Sequence, residues 1–108
     1  KKMPKKNINN SNLNEVESSK DLTILKFSAE WCGPCQMFVP VYEEASLKYS
    51  DILFGEIDID DEETKSIVSK YQVNTVPTIV LMKDGKELER FLGYKDISKF
   101  EELINKNK

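Results

Sequence analysis

Histidine is absent from this 108-residue chain, and cysteine occurs only twice, at Cys32 and Cys35. A structural or catalytic zinc site needs about four protein ligands, or three and a water. With no histidine and no third cysteine, a metal would have to be held by carboxylates or by a second chain, so no metal is expected. Long apolar runs are also missing, and no stretch approaches the roughly 20 residues that a membrane-spanning helix needs. Basic residues are not in excess either: 16 Lys and Arg stand against 19 Asp and Glu, a net charge of −3. Lys1, Lys2, Lys5 and Lys6 supply four of those positive charges, and the rest of the chain carries 12 basic and 19 acidic residues, a net −7. That acidic body argues against nucleic acid as a partner. Arginine occurs once, against 15 lysines, which reads as coding bias rather than function. Two cysteines do not make the disulfide framework of a small secreted domain, although reactive dithiols occur in every compartment. The chain opens on lysine, not methionine, which leaves the compartment undecided. The cytoplasm is the default expectation, with an organelle or secretion as the alternative if an upstream targeting segment has been removed.

What is present suits one soluble domain, with 39% apolar and 32% charged residues. Residues 1–10 are rich in lysine and asparagine and lack an apolar face, which predicts a flexible tail, with the domain proper over residues 11–108. Leu13 and Val16 lie three apart, as in a short helix over about Ser11–Ser19. Leu22–Ser28 is an apolar, β-rich run interrupted by one lysine, and reads as a buried strand. A helix is expected over Cys35–Tyr49, kinked at Pro40. Ile52–Ile59 alternates as a second central strand. Asp60, Asp61, Glu62 and Glu63 then place negative charge at the start of a helix running to about Lys70, the end that favours it. Val76–Met82 and Glu87–Leu92 read as strands joined by the Asp84-Gly85 turn. Ile97, Phe100, Leu103 and Ile104 mark the apolar stripe of a closing helix. This alternation predicts an α/β fold, a central mixed β-sheet with helices on both faces.

The two cysteines stand in Trp31-Cys32-Gly33-Pro34-Cys35. A Cys-x-x-Cys pair at the start of a helix puts its first sulfur near unpaired amide N–H groups and the positive end of the helix dipole. This favours thiolate and marks Cys32 as the nucleophile. Gly33 lets the backbone turn closely, and Pro34 suits the first helical turn. Cys35, one turn along, can close a disulfide with Cys32. A purely structural bridge would enclose so short a loop that it would constrain the unfolded chain little. A redox-active dithiol is the stronger reading.

From about Ser11 onward the chain resembles the thioredoxin family. The resemblance rests on Ala29-Glu30-Trp31-Cys32-Gly33-Pro34-Cys35, on Pro40 in the following helix, on Thr75-Val76-Pro77-Thr78, on Lys83-Asp84-Gly85-Lys86 and on Gly93. It implies the thioredoxin fold and a cis Val76–Pro77 bond. It also implies a groove in which Trp31, Gly33, Pro34, Val76, Pro77 and Gly93 receive an extended substrate segment, the Val76 backbone pairing with it. The implied activity is reduction of protein disulfides by thiol–disulfide exchange, with no bound cofactor beyond the Cys32–Cys35 disulfide. A separate reductase, in this family usually a flavoprotein using a nicotinamide cofactor, would restore the dithiol. The Gly-Pro pair resembles that of reducing members more than that of oxidising members, which often carry histidine there.

The chain also departs from the family pattern. Ser28 stands where an aromatic residue is frequent, Gln36 where lysine is frequent, and the N-terminal segment does not look like the family's extra first strand. More consequential is Lys26, where the family commonly places a buried aspartate behind the dithiol. Glu56 occupies the place of a nearby lysine, so the pair is inverted in sign. Lys26 and Glu56 therefore join Cys32 and Cys35 as candidate site residues, expected to form a buried ion pair. Two other functions compete with disulfide reduction: a redox-capable binding subunit of a larger protein assembly, and a folding oxidoreductase of a secretory compartment.

Overall fold

The computed structural model describes residues 5–108. In chain order the elements are β1 (Lys6–Asn7), α1 (Leu13–Glu17), β2 (Thr23–Ser28), α2 (Gly33–Lys48), β3 (Leu53–Asp58), a 3-10 turn (Glu62–Thr64), α3 (Lys65–Lys70), β4 (Thr78–Lys83), β5 (Lys86–Leu92) and α4 (Ile97–Asn107). The strands form one sheet in the order β1-β3-β2-β4-β5. β2 pairs in parallel with β3, and β4 runs antiparallel to both β2 and β5, giving the expected mixed sheet.

Alternation along the central strands sends side chains to two separate cores. Ile24, Phe54, Ile79 and Leu81 pack with Phe38, Tyr42 and Ala45 of α2 and with Phe100 and Ile104 of α4. The other face packs Leu25, Phe27, Ile57 and Val80 against Val16 of α1 and Ile67 of α3. The first core is the more aromatic. Phe38 meets Tyr42, Phe91 and Phe100 at ring-centroid distances of 5.8, 5.9 and 5.2 Å, which holds the start of α2 to the sheet. Both central strands are covered on both faces. That explains why β2 is an almost unbroken apolar run rather than an alternating one.

The flexible tail expected over residues 1–10 needs correction in its second half; residues 1–4 lie outside the described residues. Lys6 and Asn7 pair in parallel with Gly55 and Glu56, and the Ile8 amide donates to the Glu56 carbonyl at 2.8 Å. The segment has no apolar face to announce a strand. Among the described residues its apolar anchor is Ile8, which is 2% exposed and sits where Gly55 leaves room. A Cβ at position 55 would lie 2.8 Å from the Ile8 side chain and 2.9 Å from that of Leu25.

Two further boundaries differ from expectation. α2 begins at Gly33 rather than Cys35, because Pro34 is compatible with the first helical turn. β4 begins at Thr78 rather than Val76: Pro77 has no N–H for the ladder, and Thr75 to Pro77 remain a loop beside the dithiol. Pro40 lies within α2 on its exposed side.

Candidate active site

The dithiol sits where β2 hands over to α2, at the C-terminal edge of the sheet. Cys32 is the N-cap residue of α2, with extended backbone (φ −95°, ψ 115°), and its sulfur accepts the Cys35 N–H at 3.2 Å. A helix N-terminus leaves its first amides without internal partners, so an electron-rich sulfur at this cap is stabilised by the amide and by the dipole behind it. Cys32 and Cys35 are joined as a disulfide, their Cα atoms 5.2 Å apart. Both are buried, Cys35 the more so, at 2% against 6% exposure. Ala29 completes their small apolar cluster, with Ile59 and Val76 packed against it.

On the outer side of the dithiol lie the loops that carry Val76, Pro77 and Gly93. The Val76–Pro77 bond is cis. The Val76 carbonyl oxygen lies 3.5 Å from the Cys32 sulfur. The Gly93 amide donates to the Pro77 carbonyl at 2.9 Å. Gly93 holds φ at +85°, a conformation open to glycine, and nothing stands within 4 Å of where a Cβ would be. Trp31 is 70% exposed, so it is not a core anchor. Its indole N–H donates to Asp60 at 2.9 Å, so the ring is held rather than free. In the sequence Asp60 is legible only as part of the acidic start of a helix; no pattern in the chain ties it to a tryptophan 29 positions earlier. Gly33 and Pro34 are exposed on the first turn beside the sulfurs.

The inner side is different in kind. Behind Cys35 opens a cleft of about 230 Å³ that Lys26 and Glu56 also line. These two residues are direct neighbours across the parallel β2–β3 pairing and point to the α2 side of the sheet. The Lys26 ammonium lies 3.4 Å from a Glu56 carboxylate oxygen, the two side chains 4% and 28% exposed. It also sits 4.7 Å above the Tyr42 ring, whose π-face favours a cation. Burial lowers the Lys26 pKa below its ordinary 10.5, and the Glu56 charge opposes that shift. Glu56 is shared: Lys5 approaches it at 3.8 Å while also pairing with Glu43 of α2. The expected ion pair is therefore present, and it belongs to a chain of four alternating charges. Lys5 and Glu43 escaped the sequence reading because Lys5 lay in the supposed tail. Among the described residues there is no group of three or more Cys, Asp or Glu arranged to hold a metal ion, and no helix long and apolar enough to cross a membrane.

Comparison with known proteins agrees with this arrangement. A family model described as thioredoxin matches residues 4–106. The thioredoxin of Chlamydia caviae is 42% identical over 86 residues, which cover 80% of this chain and 82% of that protein. The thioredoxin of Bacillus subtilis is 37% identical over 92 residues, 85% of this chain and 88% of that one. Among solved structures, thioredoxin NaTrxh of Nicotiana alata superposes with a TM-score of 0.85 at 34% identity, covering 100% of this chain and 96% of that one. A match over nearly the whole length, joined to a Cys-Gly-Pro-Cys disulfide at a helix N-terminus, leaves one assignment: the chain belongs to the thioredoxin family, a thiol–disulfide oxidoreductase of protein disulfides that is recharged by a separate reductase.

Proposed function

We propose that Cys32 is the attacking thiolate and Cys35 the resolving thiol, and that targets dock as an extended segment along Trp31, Gly33, Pro34, Val76, Pro77 and Gly93. The observation that carries this reading is the setting of Cys32. Its sulfur receives an amide N–H at 3.2 Å and lies 3.5 Å from the Val76 carbonyl, so a chain whose sulfur reaches Cys32 passes beside that backbone acceptor. The dithiol starts reduced. The Cys32 thiolate attacks one sulfur of the target disulfide, forming a mixed disulfide and expelling the other as a thiolate. Cys35 loses its proton and attacks the Cys32 sulfur. The internal disulfide forms, and the second target thiolate leaves with the electron pair. Two electrons have moved from the dithiol to the target. The reductase that returns them we take to be a flavoprotein using a nicotinamide cofactor.

Insulin reduction tests the assignment. With the nicotinamide cofactor and a thioredoxin reductase-type flavoprotein present, the oxidised protein should support continuous cofactor oxidation. In the reduced protein at pH 7, iodoacetamide should label Cys32 before Cys35. Equal labelling rates would sink the division of roles, and a failure of flavoprotein coupling with turnover by dithiothreitol intact would sink only the choice of reductase.

A further inference from the structure

Cys35 faces a difficulty that the outer side of the site does nothing to relieve. It is 2% exposed, and burial in apolar surroundings raises a thiol's pKa above its ordinary value of about 8.5. Attack on the mixed disulfide requires the thiolate, so the resolving step at pH 7 needs a positive field and a proton acceptor within reach of Cys35. Inward from Cys35 lies the cleft that Lys26 and Glu56 line with it. Lys26 is covered by β-sheet and by Tyr42, and lies against Glu56. An ammonium so paired is retained as a charge, and a charged lysine has no lone pair with which to take a proton. Glu56 is 28% exposed and lines the cleft, whose volume of about 230 Å³ admits several waters.

We propose that Lys26 and Glu56 act on the resolving half-reaction in opposite senses: Lys26 stabilises the Cys35 thiolate by its field, and Glu56 accepts the Cys35 proton through water in the cleft. The proposal rests on Cys35 being the resolving thiol. In the step itself the Cys35 S–H proton passes by way of water to a Glu56 oxygen. The Cys35 sulfur then bonds to Cys32, the mixed disulfide breaks, the target sulfur departs as thiolate, and Glu56 returns its proton to bulk water. Lys26 keeps its proton throughout and is a positioning residue. The other charged groups around the cleft are Asp58 on β3, Glu30 before α2, and the Lys5–Glu43 pair beyond Glu56; the buried Tyr42 hydroxyl is turned away, donating to the Gly55 carbonyl at 2.7 Å. Asp58 and Glu30 line the cleft as exposed groups, whereas Glu56 is the one carboxylate fixed against Lys26.

Two measurements test this in the full chain. The first is the pH dependence of Cys35 alkylation in a Cys32→Ser background. Lys26→Met should raise the Cys35 titration by about one pH unit and Glu56→Gln should lower it by about as much, as expected for removing a nearby charge of either sign. A general loosening of the structure would move both in the same direction. The second is stopped-flow reaction of the reduced protein with 5,5′-dithiobis(2-nitrobenzoate). Attack by Cys32 releases one thionitrobenzoate at a rate that depends on reagent concentration, and resolution by Cys35 releases a second at a rate that does not. Glu56→Gln should leave the first phase unchanged and slow the second at pH 7 on the order of 10²-fold, although its Cys35 ionises more readily. An unchanged second phase, or two titrations displaced the same way, overturns the proposal. Release of only one thionitrobenzoate per molecule of the unmodified protein would instead overturn the assignment of Cys32 and Cys35 on which it rests.

Discussion

The outer and inner sides of the Cys32–Cys35 disulfide are made from different materials. On the outer side the contacts to Cys32 come from main chain, the Cys35 amide and the Val76 carbonyl, with an exposed indole at the rim. On the inner side, the cleft behind Cys35 is lined by long charged side chains, Lys26 and Glu56, with Lys5 and Glu43 paired beside them. Main-chain contacts recognise any extended segment and depend little on which side chains the protein carries. Charged side chains tune ionisation and can be exchanged in sign without altering the backbone. On the proposed roles, recognition would rest on the outer main chain and proton handling on the inner side chains, so substitutions can address the two separately.

Substitutions can break that separation or sharpen it. The largest effect is expected at the dithiol itself. Cys32→Ser should abolish insulin reduction, whereas Cys35→Ser should retain the first attack and accumulate mixed disulfides, visible as covalent adducts on a non-reducing gel; substantial turnover by Cys32→Ser would remove the distinction between the sides. Next comes Phe38→Ala, beneath the turn that carries both sulfurs. Phe38 is fully buried among Tyr42, Phe91 and Phe100, so its loss should cost about 3–5 kcal/mol in urea unfolding. Both sides share this support, so attack and resolution should suffer together.

Smaller effects should divide cleanly. Trp31→Ala removes an exposed apolar surface and the bond to Asp60, and should weaken capture by about 1 kcal/mol, raising KM several-fold with the rate of resolution unchanged. The smallest change is in stability, at Lys26→Met. Glu56 keeps partial exposure and the nearby Lys5 ammonium, so the substitution should alter unfolding free energy at pH 7 by no more than about 1 kcal/mol. Its pH dependence carries the information. The folded Lys26 pKa lies below 10.5, so between the two values the unfolded chain binds more protons. Stability attributable to Lys26 is therefore lowest at neutral pH and rises as pH climbs through the folded pKa toward 10.5. Denaturant midpoints of the unmodified protein should gain on those of Lys26→Met from pH 7 upward, and parallel profiles would show that Lys26 is not held under a burial penalty.

The same division explains what could be read from the sequence. The outer side was legible because its parts are short, local and chemically restrictive: Cys-Gly-Pro-Cys, Val76-Pro77 and Gly93 each announce a backbone conformation as well as a contact. The sheet was legible for a similar reason, since Thr23–Ser28 and Thr78–Lys83 are buried on both faces and read as apolar runs. The Lys26–Glu56 pair could be anticipated because one lysine in an apolar strand requires a partner. Its extension to Lys5 and Glu43 could not, because those contacts depend on a strand two residues long whose apolar support, among the described residues, is Ile8. Hydrophobic periodicity has nothing to count in so short an element. The Trp31–Asp60 bond was hidden for a different reason: an aspartate in a run of acids looks solvated until a loop brings the indole beside it.

β1 has one more consequence, for the behaviour of the protein in company. Its pairing with Gly55 and Glu56 occupies the outer hydrogen-bonding row of β3, a strand whose neighbours are otherwise all interior. The opposite margin of the sheet, β5, is studded with Lys86, Glu87, Glu89 and Arg90, which discourage a second chain from adding to it. The β3 margin carries fewer charges, Glu56 and Asp58, beside the buried Phe54, Gly55 and Ile57. A chain cut just after Ile8 would expose that row as a ready template for self-association, so the few residues that look most dispensable act as the sheet's guard against aggregation.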